Sequence, residues 1–231
     1  MKRLIGVGLT MVIALAALAT ASPDAAHGQS AGLVSSVLNR LEQNRQSLKS
    51  LRASISMEKY NAQLRDAERY SGVVAYLPAD GRNANVRIEW SKPQREIIAV
   101  SNGEYTLYRV RLGQAYKGKV TSKTAGGGVM EMMNLSRQQL QARFQPFQDV
   151  REETLWGDVT TIHLRLVPRG AASYKYAEIW VDSSGMPVQS KVVEKNDDST
   201  TIRLLNVERN ARVSPDEFKI ELDSGVKIIR G

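Results

Sequence analysis

The chain has 231 residues, of which 42% are apolar and 24% are charged, and these proportions exclude a disordered or fibrous protein. It contains no cysteine and two histidines, which leaves almost no material for disulfide bonds, a cysteine nucleophile or a histidine-rich metal site. The net charge of +8 favours polyanionic partners, but the basic residues lie scattered without the interleaved aromatic side chains of a nucleic-acid platform. A solvated sheet surface or transient contact with anionic lipid headgroups accounts for this charge, and nucleic acid is not an expected partner.

Residues 1–28 have the pattern of a secretory signal peptide. Lys2 and Arg3 precede the uncharged run Leu4–Ala19, which is too short to span a membrane comfortably, and small residues follow. Cleavage after Ala21 and cleavage after Gly28 both fit the pattern. No cysteine follows that could carry a lipid anchor, so we expect a soluble exported protein with one domain over residues 29–231.

The next segment predicts an amphipathic helix from Gly32 to about Arg52. Its apolar residues recur mostly at steps of three and four, and they are Leu33, Val34, Val37, Leu38, Leu41, Leu48 and Leu51. This apolar stripe needs a partner surface. The helix therefore either plugs a sheet as core packing or forms part of a lid.

From Ala53 onward the apolar pattern changes to period two, which predicts strands at hairpin spacing. Ile55 and Met57 share one face, and a charged segment over residues 65–69 separates them from an apolar strand face with Val73, Ala75 and Leu77. The run 85–90 places Val86, Ile88 and Trp90 on one side, 96–100 adds Ile98 and Val100, and a strand from Tyr105 to Val110 follows the Asn102-Gly103 turn.

A glycine tract, Gly126-Gly127-Gly128, interrupts the strands and is a candidate hinge. It is followed by Met130, Met132 and Met133, and methionine suits surfaces that accept differing apolar partners. Ser136 then caps a predicted helix from Arg137 to about Phe144. This region is a mobile lid, a short helix tucked over one barrel end, or both.

Strands resume with residues 151–155 and 159–167, and the last sixty residues predict an antiparallel meander that includes 218–222. Ile162, Leu164 and Ile179 fall at inward positions. His163 falls at the polar position of its strand, where we expect an ordinary exposed histidine. No acid–base constellation can be assembled, so we expect neither an enzyme nor a cofactor or metal.

Many apolar inward positions with few acids or bases among them suit acyl chains, which gain about 0.8 kcal/mol per buried methylene. The predicted cavity and lid residues are Val86, Ile88, Trp90, Ile98, Val100, Met130, Met132, Met133, Leu135, Leu140, Phe144, Ile162, Leu164 and Ile179.

Two blocks of the sequence carry a family resemblance. One is Ile179-Trp180-Val181-Asp182 with Gly185, Pro187 and Gln189, followed by Asp198-Ser199-Thr200, Asn206-Val207, Asn210, Pro215, Phe218, Ile220 and Gly225-Val226. The other is Trp90-Ser91-Lys92-Pro93, the apolar run 97–100 and Ser101-Asn102-Gly103-Glu104. In order and spacing these blocks resemble the periplasmic outer-membrane lipoprotein carrier family, known as LolA, over roughly residues 33–230.

The resemblance implies a mainly β protein, a half-open antiparallel β-barrel of about eleven strands with lid helices over an apolar cavity. It also implies a soluble periplasmic carrier, expected to be a monomer without cofactors. Such a carrier takes acylated lipoproteins from an inner-membrane lipoprotein-releasing ABC transporter and passes them to an outer-membrane acceptor.

This chain departs from the family at one point. The family holds its lid closed with a strand arginine inside a lysine-arginine-proline motif, and the corresponding residues 77–90 lack that motif. Arg82 and Arg87 are the candidates for a latch. The alternative function is therefore that of a divergent lipid-binding protein of the same fold, a lipid carrier or envelope sensor not dedicated to lipoproteins.

Overall fold

The computed structural model describes residues 23–78, 84–120 and 135–230, and side chains from Gly32 onward. Most of the predicted signal peptide, residues 1–22, lies outside the described residues. The described ranges contain two α-helices, α1 (Pro23–Ser47) and α2 (Arg137–Arg143). Their strands are β1 (Leu51–Asn61), β2 (Asp66–Leu77), β3 (Asn85–Lys92), β4 (Glu96–Ser101), β5 (Glu104–Arg109), β6 (Gln114–Lys119), β7 (Gln148–Leu155), β8 (Val159–Leu166), β9 (Tyr174–Asp182), β10 (Pro187–Glu194), β11 (Ser199–Arg209) and β12 (Lys227–Arg230).

These twelve strands form one sheet in the order β12-β6-β5-β4-β3-β2-β1-β11-β10-β9-β8-β7. Neighbouring strands are antiparallel except β12, which runs parallel to β6. The edge strands β7 and β12 do not pair with each other, so the sheet is not closed. The predicted half-open barrel with lid helices is confirmed, with β12 as an additional parallel strand.

Both helices lie against one face of this sheet, which we call the inner face. Val37, Leu38 and Leu41 of α1 and Leu140 of α2 form one buried cluster with apolar residues of β8, β9 and β10. The helices therefore cover the half of the inner face that is built from the second half of the chain. Within the described part of the chain, no helix is both long and apolar enough to cross a membrane.

The predicted helix boundary at Arg52 was wrong, because α1 ends at Ser47 and β1 begins at Leu51. Leu48 and Leu51 continue the helical spacing of apolar residues, but both belong to the buried cluster beneath β1 and β2. Leu51 pairs with Tyr76 of β2 and Arg209 of β11, so its backbone belongs to the sheet and cannot continue the helix.

The predicted apolar face of β2 was also wrong. Val73 is 56% exposed, whereas Val74 and Tyr76 are buried in the core. Both parities of this strand carry apolar residues, and pairing with β1 decides between them, because Ala53 lies opposite Val74. The charged segment before it is not a connection, since β2 already begins at Asp66.

Residues 218–222 were predicted as a strand and are not one. A 3₁₀ helix covers Pro215–Phe218, and the chain then crosses the outer face of the sheet before β12 begins at Lys227. Ile220 and Leu222 alternate as in a strand because they pack on Ile97 and Tyr108 of that face. We call residues 215–226 the C-terminal strap.

Candidate binding site on the inner face

The strand register arranges the inner face of β3–β6 in three transverse rows. Residues directly opposite each other in antiparallel strands share a face, so each row can be followed across the sheet from pair to pair. The first row is Val86, Val100, Tyr105 and Gly118. The second row is Ile88, Ile98, Leu107 and Tyr116. The third row is Trp90, Glu96, Arg109 and Gln114.

The first two rows are apolar and only half-buried. Val86, Ile88, Ile98 and Val100, all predicted cavity residues, lie in them with intermediate exposure, and Trp90 of the third row is buried. The opposite face of the same strands is covered, because the C-terminal strap buries Ile97 and Tyr108 there. The protein thus covers the outer face with its own chain and leaves the aliphatic rows of the inner face partly accessible.

The remaining described members of the predicted set lie elsewhere, in the closed core under α1 and α2. They are all buried, and they are Leu135, Leu140, Phe144, Ile162, Leu164 and Ile179. Leu140 is 1% exposed, so its side chain packs inside the core and does not line an open mouth. Met130, Met132, Met133, the glycine tract and Arg82 lie outside the described residues.

Besides Gly118, the first two rows contain three residues that were not predicted as site residues: Tyr105, Leu107 and Tyr116. All three are partly buried and face the same side as Val100 and Ile98. The alternation Tyr105-Thr106-Leu107 was a usable signal for the first two. Tyr116 had no comparable signal, because β6 is a short strand of mixed composition.

The third row lies at one end of the aliphatic surface and contains charged side chains that contact aromatic rings. Arg109 Nε lies 3.2 Å from Glu96 Oε1, and the guanidinium carbon lies 5.3 Å from the centre of the Tyr116 ring. Trp90 meets Tyr70 edge to face, with ring centres 5.7 Å apart. The inner face of β3–β6 is therefore amphipathic, with two aliphatic rows and one polar row.

Arg87, a predicted latch candidate, lies on the outer face. Its guanidinium donates to Glu89 Oε1 at 2.7 Å and to the backbone carbonyls of Glu217 and Lys219 at 3.0 and 3.1 Å. These bonds attach the C-terminal strap and involve neither helix. The structure gives no support to a latch role for Arg87, because its position in β3 has the parity opposite to Val86 and Ile88.

Two clefts flank the strap on the outer face, with volumes of about 600 and 700 Å³. Arg87 lines both, and other charged side chains such as Arg52, Glu208 and Lys219 line one or the other. Acyl chains would have to desolvate these charges on entry, which is unfavourable. We therefore place the candidate lipid site on the inner face and not in either cleft.

A carboxylate of α1 joins the two helices. Glu42 of α1 accepts hydrogen bonds from Arg45 at 2.5 Å, from Gln46 at 2.9 Å and from the backbone N–H of Arg137 at 3.2 Å. The last bond satisfies a free N–H at the start of α2, beside the reciprocal capping bonds of Ser136 and Gln139. The Arg45 guanidinium, with these other donors, lowers the pKa of Glu42 to about 2.

His163 was expected to be exposed, and this was wrong, because it is 1% exposed on the outer face of β8. Its Nδ1 donates to the Asp149 carbonyl oxygen at 3.0 Å, and its Nε2 lies 3.7 Å from Glu178 Oε1. Arg165 donates to the same Glu178 oxygen at 3.0 Å. His163 first, and Arg165 after it, hold the pKa of Glu178 below its ordinary value.

Asp149, His163 and Glu178 each offer one atom that could ligate a metal ion, and these three atoms lie within 4.8 Å of one another. Arg151 and Arg165, however, already pair with the two carboxylates. A divalent cation would add positive charge where two guanidinium groups balance the acids. We interpret this cluster as an ion-pair network that fastens the edge strand β7 to β8 and β9.

Comparison with known proteins supports the resemblance found in the sequence. The family model described as "Outer membrane lipoprotein carrier protein LolA" matches residues 46–221. A comparison with curated proteins gives no match.

A comparison with solved structures gives several matches. An uncharacterized conserved protein from Thermus thermophilus is 14% identical with a TM-score of 0.52, and the alignment covers 86% of this chain and 99% of that one. MucB is 14% identical with a TM-score of 0.53, covering 81% of this chain and 62% of MucB, so this chain spans less than two thirds of MucB. A LolA superfamily protein from Nitrosomonas europaea is 12% identical with a TM-score of 0.40, covering 81% and 97%.

At these identities the similarity to solved structures concerns the fold alone. The family match is broader evidence, because it spans most of the sheet from the end of α1 to the C-terminal strap. The chain belongs to the LolA family.

Proposed function

We propose that this protein binds acyl chains on the inner face of its sheet and carries acylated lipoproteins through the periplasm. In this proposal it receives them from an inner-membrane lipoprotein-releasing ABC transporter and delivers them to an outer-membrane acceptor. It acts by binding and release, with no catalytic step. Membership of the LolA family supports the proposal.

One structural observation carries it. The aliphatic rows on β3–β5 stay half-exposed on the inner face, while the protein buries the outer face of the same strands under its own strap. Apolar side chains that the chain leaves accessible next to a fully packed core offer surface to an apolar ligand. Each methylene placed on them contributes about 0.8 kcal/mol, so a few acyl chains offset the cost of leaving a membrane.

The test is lipid extraction and native mass spectrometry of protein purified from its own envelope fraction. A co-purifying acylated polypeptide supports the lipoprotein carrier. An empty protein that also fails to bind a fluorescent fatty acid would overturn acyl binding altogether.

Variants locate the site. Leu107→Gln places an amide in the second row and should weaken binding of a fluorescent fatty acid by about tenfold or more, because the amide must be desolvated. Leu112→Gln is the matched control, since Leu112 is 50% exposed in the connection between β5 and β6. Equal binding by both variants would show that acyl chains do not contact the second row.

A second candidate is a lipid carrier or envelope sensor of the same fold that is not dedicated to lipoproteins. It is favoured by the position of Arg87, whose bonds go to the C-terminal strap and not to a lid helix. The lysine-arginine-proline motif of the family's lid closure is also missing from residues 77–90. Recovery of phospholipid without acylated polypeptide in the extraction would support this second candidate over the first.

A further inference from the structure

We propose that Arg109 holds the ester carbonyl oxygens at the head of bound acyl chains, and so fixes the direction in which lipids lie on the inner face. The inference rests on the proposed acyl binding and adds a polar subsite to it. The chain heads lie at the third row, beside the β3–β4 and β5–β6 connections. The tails extend over the second and first rows toward the Asn102-Gly103 turn.

The position of Arg109 supports this direction. It lies opposite Glu96 and Gln114 and two residues along β5 from Leu107, which is about 7 Å at the rise of an antiparallel strand. The polar third row is thus directly adjacent to the second row on the same face. An amphiphile placed with its ester group at the third row lays its first methylenes on Leu107 and Ile98.

The hydrogen-bonding state of Arg109 points to a ligand. An arginine carries five N–H donors, and no hydrogen bond to a described residue uses any of those on Arg109. Its Nε is buried and faces Glu96 Oε1 at 3.2 Å, so a ligand cannot reach that atom. The side chain as a whole is 40% exposed, which leaves the N–H donors of its two terminal nitrogens accessible to a ligand carbonyl.

The charge balance selects the class of acceptor. Glu96 pairs with Arg109 and its side chain is only 13% exposed, so the subsite is close to neutral. A free anion would meet the Glu96 carboxylate, whereas a neutral carbonyl oxygen accepts from the guanidinium without that repulsion. The Tyr116 ring, 5.3 Å from the guanidinium carbon, holds the group in place. Ester carbonyls of this kind occur both in phospholipids and in acylated lipoproteins.

The test compares two probes of equal chain length, a pyrene-labelled methyl ester and a pyrene-labelled hydrocarbon. We expect Arg109→Gln to weaken binding of the ester by about tenfold or more and to leave hydrocarbon binding unchanged, since a hydrogen bond from a charged donor is lost. The double variant Glu96→Gln/Arg109→Gln leaves no unpaired carboxylate and should show the same selective loss. Arg111→Gln is the matched control, because Arg111 is exposed two residues further along the chain.

The outcomes separate the subsite from the proposed function. Hydrocarbon and ester binding that Arg109→Gln leaves unchanged, or weakens equally, would overturn the subsite while acyl binding stands. Failure of the unmodified protein to bind either probe would overturn both. A triacylated lipopeptide and a diacyl phospholipid then identify the source of the ester: it is the ligand that the unmodified protein binds more tightly and whose binding Arg109→Gln weakens.

Discussion

The α-carbon of Gly185 lies directly against the backbone carbonyl of Arg40. A Cβ at residue 185 would stand 2.1 Å from that oxygen, far inside van der Waals contact, and Gly185 has φ +81°. α1 therefore packs directly on the turn between β9 and β10. Only glycine adopts the positive φ of this turn without strain and also allows the backbone of α1 to approach so closely.

We predict that Gly185→Ala destabilises the protein by about 2–3 kcal/mol, because the added methyl group separates α1 from the turn and strains the backbone. Urea unfolding followed by circular dichroism measures the loss. Gly157→Ala is the control, since Gly157 also has positive φ, +83°, but its Cβ would meet no atom within 4 Å. That variant should lose only about 1 kcal/mol, and an equal loss in both variants would disprove the packing contribution.

Leu164 is 1% exposed in the core under α1 and α2. We predict that Leu164→Asp prevents stable folding, because it buries an unpaired carboxylate among aliphatic side chains. Leu64→Asp makes the same chemical change at a residue that is 74% exposed in the β1–β2 turn, and should fold normally. Near-ultraviolet circular dichroism and thermal unfolding compare the two, and a cooperative transition at unchanged temperature for Leu164→Asp would contradict the packing described for this core.

Glu42 couples α1 to α2 through the N–H of Arg137. We predict that Glu42→Gln lowers the free energy of unfolding by about 1 kcal/mol at neutral pH, a modest value because the side chain is partly exposed. The pKa of Glu42 falls from its ordinary value of 4.5 to about 2, so the folded state prefers the ionised form. Its contribution is complete above about pH 4.5 and is lost as the pH falls toward about 2.

Unfolding curves of wild type and Glu42→Gln over this pH range should therefore converge in acid. Glu104→Gln is a control at an exposed glutamate that starts β5. A difference between wild type and Glu42→Gln that persists unchanged at about pH 2 would show that the carboxylate charge is not the cause.

Arg87 attaches the C-terminal strap through the carbonyls of Glu217 and Lys219. We predict that Arg87→Met raises amide hydrogen exchange in residues 215–226 by at least about tenfold, because two charge-assisted hydrogen bonds are lost. Arg69→Met is the control, since Arg69 forms an exposed ion pair with Glu58 on the neighbouring strand. If exchange in the strap stays unchanged in Arg87→Met, the strap is held by its apolar contacts alone.

The inner face of β3 could be predicted from local pattern, because Val86 and Ile88 alternate with Arg87 and Glu89 and side chains alternate across a strand by covalent geometry. In β4 both faces are apolar, and pairing with β3 places Ile98 and Val100 on the inner face. The same reasoning failed in β2, where Val73 and Val74 are both apolar and only the pairing with Ala53 decides which one is buried. The role proposed for Arg109 could not be predicted from the sequence, because it depends on contacts with Glu96 and Tyr116 from two other strands.

The class of fold, the strands on either side of the Asn102-Gly103 turn and the apolar inner face of β3 could be predicted from local pattern, because backbone geometry and side-chain alternation are local. Which apolar residues are closed core and which are accessible depends on contacts between distant elements. Leu140 and Leu164 are covered because α1 and α2 pack on β8 and β9, while Ile88 and Ile98 remain half-open. His163 is buried between the Trp180 ring of β9, 4.6 Å away between ring centres, and the Asp149 carbonyl at the irregular start of β7, and alternation within β8 does not encode these contacts.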